Sequence, residues 1–385
     1  MIKTADRLNN ISEYYFSRKL KEIDDLNKKG RQIINLGIGS PDQPPHPDVI
    51  KTLNEESVKP NQHSYQSYRG SVVLRKAMCR WYKQWYNVDL DPESEILPLI
   101  GSKEGIVHIC MTFLNPGDKV LVPNPGYPAY RSAVYLTGAD CVDYELKEEN
   151  NWMPDFNFLE SLDLSSVKMM WLNYPHMPTG QLPSKELFER VIAFGNKHNI
   201  LICHDNPYSF ILNDKPLSLL SVKNAKDTAV ELNSLSKSHN MAGWRVGLLA
   251  GNDQIINEVL RFKSNMDSGM FLPLQLAAAK ALSLPLEWYE NVNNVYRSRR
   301  NKAFTLLKNL KTVFSESQAG MFIWAKIDDS EKDCYTFIDK ILDKAGVFVT
   351  PGAIFGSAGN RYIRVSLCAT IEKLDEAIKR VEEMK

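Results

Sequence analysis

Between Ser234 and Gly247 the chain reads S-L-S-K-S-H-N-M-A-G-W-R-V-G, which sets one lysine, Lys237, among groups suited to a phosphate. Ser234 and Ser236 precede it, and Arg245 follows eight positions on, close to a glycine. A phosphate-bearing aldehyde held on a lysine as a Schiff base needs these parts: an amine nucleophile, hydroxyl donors and a guanidinium fork for the dianion. The cofactor they imply is pyridoxal 5'-phosphate.

Other segments offer the remaining groups such a cofactor needs. In L-P-L-I-G-S-K-E-G an apolar run meets a Gly-Ser-Lys turn and a helix start, so Ser102 and Lys103 can cap a phosphate with free amides. In I-L-I-C-H-D-N-P-Y, Asp205 emerges at a strand end, where a carboxylate can pair with a protonated pyridine nitrogen and keep the ring an electron sink. Tyr208 can donate to the ring's phenolate oxygen. Tyr127 in N-P-G-Y-P-A-Y can stack on the ring face. Arg364, with apolar neighbours in R-Y-I-R-V-S-L, suits a substrate α-carboxylate in its bidentate geometry. Ordinary strand-to-helix and Asp-Asn-Pro turns are the competing accounts of these loops.

The elements that must hold these groups read as α/β. Short apolar runs at Lys119 to Val122, Val167 to Leu172, Ile200 to Cys203, Ala229 to Leu232 and Val246 to Ala250 alternate with amphipathic helical patterns such as Leu187 to Lys197 and Gln254 to Phe262. They predict a large domain with a mostly parallel central sheet flanked by helices, whose ligands gather at the carboxyl ends of the strands. After Leu286 a long charged helix, G-M-F-I-W-A-K-I, V-F-V-T-P-G and Y-I-R-V-S-L predict a smaller α+β domain. The division expected is an N-terminal arm over 1–45 joining the small domain, a cofactor-binding domain over 46–286 and a small domain over 287–385.

Composition narrows the partners. The 385 residues exceed the size at which one core stops growing. Lys plus Arg at 47 against Asp plus Glu at 46 leave a net charge of +1, which argues against nucleic acid. The six cysteines are dispersed without a C-x-x-C pair and read as reduced residues of a cytoplasmic protein, with no metal expected. No run is long and apolar enough for a membrane span, and the N-terminus has no export pattern.

Taken along the chain, I-N-L-G-I-G-S-P-D, S-Y-Q-S-Y-R-G, N-P-G-Y, N-Y-P-H-M-P-T-G, D-N-P-Y, the Lys237 segment and R-V-S-L resemble the fold-type I, class I/II aminotransferases. The opening R-L-N-N-I-S-E-Y-Y-F with L-G-I-G-S-P-D is most similar to the subgroup that contains LL-diaminopimelate aminotransferase. The resemblance implies transfer of an amino group between an amino acid and a 2-oxo acid. Lys237 would be the Schiff-base lysine, Ser234, Ser236, Arg245, Ser102 and Lys103 the phosphate site, Asp205 the partner of the ring nitrogen, Tyr208 the phenolate donor and Tyr127 the stacking ring.

Further roles carry over. Tyr65 matches a tyrosine that reaches the phosphate of a neighbouring subunit, so a homodimer with shared sites is implied. Gly39 and Arg364 match the substrate-carboxylate site, and Tyr14 corresponds to an N-terminal substrate contact. One departure is plain: where the family reads N-P-T-G this chain has M-P-T-G, so Met177 replaces an asparagine that bonds the ring oxygen and the substrate carboxylate, and a thioether has no such donor. Asn173 or His176 can stand in for it, with His176 alternatively a surface loop histidine. A carbon-sulfur β-lyase or decarboxylase on the same scaffold is the nearest rival reading. A non-catalytic cofactor-binding regulator is remoter, for want of a nucleic-acid-binding module.

Overall fold

The structure is a computed structural model that describes residues 2–9, 11 and 15–384; Tyr14 lies outside the described residues. Its first strand, β1 (Ile34–Asn35), is two residues long. The chain then lays down β2 (Ile96–Leu99), β3 (Lys119–Asn124), β4 (Asp140–Glu145), β5 (Val167–Asn173), β6 (Leu201–Asp205), β7 (Ala229–Ser234) and β8 (Gly247–Gly251), which form one seven-stranded sheet in the order β2-β8-β7-β6-β5-β3-β4. All run parallel except β8, which is antiparallel to both its neighbours.

Side chains alternate across this sheet, and each face has its own apolar layer. Met169 and Trp171 of β5 pack with helices Ser102–Phe113, Pro128–Thr137 and Asp253–Lys263 on one face. Met170 and Leu172 pack with Val72–Tyr86, Lys185–His198 and Leu272–Leu282 on the other. With both faces covered, β5 and β6 carry continuous apolar runs, Met169–Leu172 and Leu201–Cys203, as parallel strands between helices do. β4 was not among the expected strands: an edge strand, it alternates Asp140, Asp143 and Glu145 with apolar residues and lacks a continuous apolar run.

Helix Leu286–Asn309 leads into the second assembly, β9 (Phe322–Lys326), β10 (Val347–Phe348), β11 (Thr350–Pro351) and β12 (Tyr362–Ser366). The antiparallel order is β11-β12-β9, while β10 pairs in parallel with β1. The residues after β1 stay bound to this assembly. Leu36 donates to the Phe348 carbonyl at 2.8 Å and accepts from Ser366 at 2.7 Å, and Thr350 Oγ1 donates to the Gly37 carbonyl at 2.9 Å. Helix Tyr15–Lys28 buries Phe16 and Ile23 in the same apolar cluster.

Candidate active site

The carboxyl ends of β2, β3, β5, β6 and β7 open on one cavity of about 620 Å³, and the assembly around β12 closes its far side. Lys237 follows β7 on a one-turn helix, Leu235–Ser238, capped by the Ser234 hydroxyl, which accepts from the Ser236 amide. The Ser234 and Ser236 hydroxyls lie 3.0 Å apart. The Lys237 ammonium donates to the Gly39 carbonyl at 2.7 Å. Burial lowers its pKa to about 8; Cys368 pulls the other way, and the Arg364 and Arg245 cations deepen the shift.

Beside it Arg245 adopts a left-handed backbone conformation, φ 58°, and donates to the Ala242 carbonyl at 3.0 Å. Its guanidinium lies directly over Gly101, the residue that starts helix Ser102–Phe113 with φ +85°. A Cβ at Gly101 would overlap that guanidinium, and one at Gly247 would come within 2.6 Å of the Ser102 amide. Glycine is therefore required at both positions if the arginine and the helix amides are to approach one another. Burial, then the Arg245 charge, lowers the pKa of Lys103. The result is a rim of hydroxyls, amides and two cations at one edge of the cavity.

Asp205 ends β6, with Asn173 of β5 in register beside it. Its carboxylate is almost fully buried and takes the Tyr130 hydroxyl on Oδ2 at 2.9 Å. Oδ1 is buried with no hydrogen-bond partner among the described residues. Burial raises the pKa to about 6, while the Tyr130 hydrogen bond and His204 restrain the rise. An orphaned carboxylate oxygen on a cavity wall is an acceptor waiting for a donor, and a pyridine N–H is a donor of the right kind. The phosphate-suited rim and this oxygen together fit pyridoxal phosphate.

Tyr127 and Tyr208 also line the cavity. Tyr127 packs edge-on against Tyr130, and Tyr208 edge-on against Phe322, with centroids 5.6 and 5.9 Å apart. Asn173 is committed to the backbone: it donates to the Asp205 carbonyl at 2.6 Å and accepts from the Met177 amide at 2.8 Å. His176 is not at the surface, as a loop histidine would be. The turn folds back so that Gly180 donates to the His176 carbonyl at 2.7 Å, and the buried ring bonds Thr179 at 2.8 Å. Burial lowers its pKa to about 3, so it stays neutral.

Arg364 of β12 reaches the same cavity, buried under three phenyl rings. Its Cζ lies 3.8 Å from the Phe322 centroid, 4.6 Å from Phe355 and 5.5 Å from Phe16. It donates to the Gly37 carbonyl at 2.9 Å and to the Met177 sulfur at 3.1 Å. The thioether that cannot donate thus serves as an acceptor. Tyr65 is 92% exposed and does not line this cavity.

Sequence reasoning missed Tyr130, Phe322, Phe355 and Phe16. Tyr130 had a signal, because it sits one helical turn after Tyr127 in N-P-G-Y-P-A-Y, on the same helix face. The three phenylalanines come from distant segments with nothing local to mark them.

Comparison with known proteins agrees with this geometry. Residues 31–381 match the family described as aminotransferase class I and II. LL-diaminopimelate aminotransferase of Dehalococcoides mccartyi (strain ATCC BAA-2266) is 40% identical over 386 residues, covering 100% of this chain and 99% of the relative. The protein of that name from Aquifex aeolicus is 37% identical over 387 residues, with both chains fully covered. Among solved structures, substrate-bound BacF from Bacillus subtilis superposes with a TM-score of 0.94 at 37% identity, covering 100% of this chain and 98% of the other.

Proposed function

From the premise that this chain belongs to the class I and II aminotransferase family, and is an aminotransferase of fold type I, we propose that it works with pyridoxal phosphate carried on Lys237. The observation that carries the assignment of the cofactor to this cavity is a pair of features that line it together with Lys237. One is the orphaned Oδ1 of Asp205, the other the glycine-permitted approach of Arg245 to the amides at Ser102. When bound, pyridoxal phosphate supplies the electron sink that lets an amino acid lose its Cα proton.

The chain's own groups supply the rest. Ser234, Ser236, Arg245, Ser102 and Lys103 hold the phosphate, and Asp205 takes the ring N–H and neutralises its charge. Tyr127 covers the ring, Tyr208 serves the ring oxygen, and Asn173 braces the loop at Met177. Lys237, with its pKa lowered to about 8, keeps a neutral share at physiological pH and moves the proton at Cα. Arg364 and the Gly39 segment receive the substrate carboxylate, with Arg364 exchanging its sulfur contact for carboxylate oxygens. Tyr14 stands with them as an N-terminal contact.

The active form in this reading is a homodimer in which Tyr65 serves the neighbouring phosphate. Its support is a set of exposed apolar side chains, Tyr65, Tyr68, Val72, Val73, Met266 and Phe271. The reading places the enzyme in the cytoplasm, with six free cysteines in support. No described helix is long and apolar enough to cross a membrane.

The test is the visible spectrum of protein loaded with pyridoxal phosphate, wild type beside Lys237→Ala, with amino acids added in the absence of any 2-oxo acid. A lysine-dependent band that a donor bleaches with release of its 2-oxo acid supports the reading. A band that persists while pyruvate or carbon dioxide appears would assign the site to a lyase or decarboxylase.

A further inference from the structure

The cavity has two unlike halves. Toward the sheet lie the phosphate rim, Lys237 and Asp205; toward β12 the wall is Phe16, Leu20, Ile38, Met177, Phe322 and Phe355 around the single cation Arg364. Three of these rings and the Met177 sulfur bear on the guanidinium itself, so this wall adjoins whatever Arg364 binds. Among the described residues lining the cavity the only acid is Asp205, which belongs to the opposite half and is bonded to Tyr130.

Helix Tyr15–Lys28 contributes to that wall with one face. Phe16 and Leu20 are four residues apart and project together, Phe16 buried and Leu20 at the mouth with 37% exposure. The helix's charges are engaged elsewhere: Lys19 pairs with Glu22 at 2.9 Å, and Arg18, Lys21 and Asp25 line a separate groove. The only hydroxyl this helix adds to the cavity is Ser17.

We infer that the donor's side chain is apolar or aromatic, of the phenylalanine, leucine or methionine kind, and that Phe16, Leu20, Ile38, Phe322 and Phe355 are the residues that select it. This rests on the aminotransferase reading and on Arg364 as the carboxylate site. A donor with a distal carboxylate, or with a distal ammonium and carboxylate, would carry its charge into a wall where, among the described residues, the one charged group is Arg364, already taken by the α-carboxylate, which is strongly unfavourable. An aryl or branched alkyl group instead loses apolar surface to water and meets aromatic faces and a polarizable sulfur.

The experiment uses the full chain loaded with pyridoxal phosphate and follows single-turnover bleaching with L-phenylalanine, L-leucine, L-glutamate and LL-diaminopimelate. The expected result is a kcat/KM for the first two at least about 100-fold above that for the others. Calorimetric binding of 3-phenylpropanoate against glutarate gives the same comparison without turnover, and 3-phenylpropanoate is expected to bind the tighter. Leu20→Arg, which places a cation at the mouth, is expected to raise the glutamate-to-phenylalanine ratio by about two- to fivefold, as a partly exposed ion pair allows.

Bleaching by glutamate or LL-diaminopimelate at least as efficient as by phenylalanine and leucine would overturn the apolar subsite while leaving amino transfer standing. So would an unchanged ratio in Leu20→Arg. Failure of every donor to bleach the band would instead sink the aminotransferase reading on this cavity, and the two carboxylates would still decide the character of the wall.

Discussion

Tyr130 donates its hydroxyl to one oxygen of Asp205 at 2.9 Å, and the other oxygen of the same buried carboxylate is left without a partner. Since that hydrogen bond restrains a pKa already raised to about 6 by burial, Tyr130→Phe should raise it further. Below its pKa the carboxyl is neutral and cannot balance a ring N–H⁺. Cofactor affinity should therefore fall as pH drops through about 6 in the wild type and at a higher pH in the variant. Titration with pyridoxal phosphate between acid and neutral pH reads the midpoint directly.

The same carboxylate has a cost in the cofactor-free protein. Its folded pKa of about 6 exceeds the ordinary aspartate value of 3.8, so the folded state binds the proton more tightly, and stability declines as pH rises between those values and stays lowered above them. Asp205→Asn keeps an acceptor for Tyr130 and removes the charge. It should stabilise the cofactor-free protein at pH 8 by up to about 3 kcal/mol, at 1.36 kcal/mol per unit, while weakening cofactor retention. Urea denaturation with and without cofactor would separate the two effects.

Lys237 moves in the opposite sense. Its pKa falls from 10.5 to about 8, so between those values the folded state binds fewer protons than the unfolded chain and gains stability as pH rises. The neutral amine is the nucleophile. Attachment of pyridoxal phosphate, followed by stopped-flow absorbance, should accelerate with pH and level off above about 8. A rate still climbing at pH 10 would contradict the buried, cation-flanked environment.

Gly101→Ala asks an alanine to hold φ +85° and to occupy the space of the Arg245 guanidinium. The backbone strain should cost about 1–2 kcal/mol of stability. Displacing the arginine should weaken pyridoxal phosphate binding by about tenfold or more, as loss of a charge-assisted hydrogen bond does. Thermal denaturation and cofactor titration measure the two.

Arg364→Lys keeps the charge but loses the planar fork between Phe322 and Phe355. A fall of about 10- to 100-fold in kcat/KM for the donor is expected, mainly through KM. Met177→Asn puts an amide donor where the thioether offers none and should raise kcat/KM by about two- to tenfold, the worth of one neutral hydrogen bond.

Much of the sheet was legible because β3, β5 and β6 carry continuous apolar runs ending in polar residues and β7 is interrupted only by the buried Glu231 before its polar end, and Asn173, Asp205 and Ser234 stand at three of those ends. The direction of β8 was not legible, since an apolar run such as Gly247–Gly251 reads alike in either sense and its neighbours decide. Lys237, Arg245 and Ser102 were readable as chemistry, but the reason for Gly101 was not, because the arginine it admits is far away in sequence. Met177 was read as a lost donor; its use as an acceptor for Arg364 depends on a contact spanning 187 positions.

The parallel pairing of β1 with β10 means that the cavity's far wall travels as a unit. The Gly37 and Ile38 carbonyls, just ahead of Gly39, accept hydrogen bonds from Thr350, Arg364 and Ser366 of β11 and β12, and Phe16 is embedded in the same cluster. Helix Leu286–Asn309 belongs to that cluster from Val292 onward, so a hinge in its first turns would swing the guanidinium, its phenyl cage and the carbonyl that holds Lys237 together. Such a swing would draw the Gly39 acceptor past the lysine as the wall advances, so that admitting a substrate and freeing the amine become one motion.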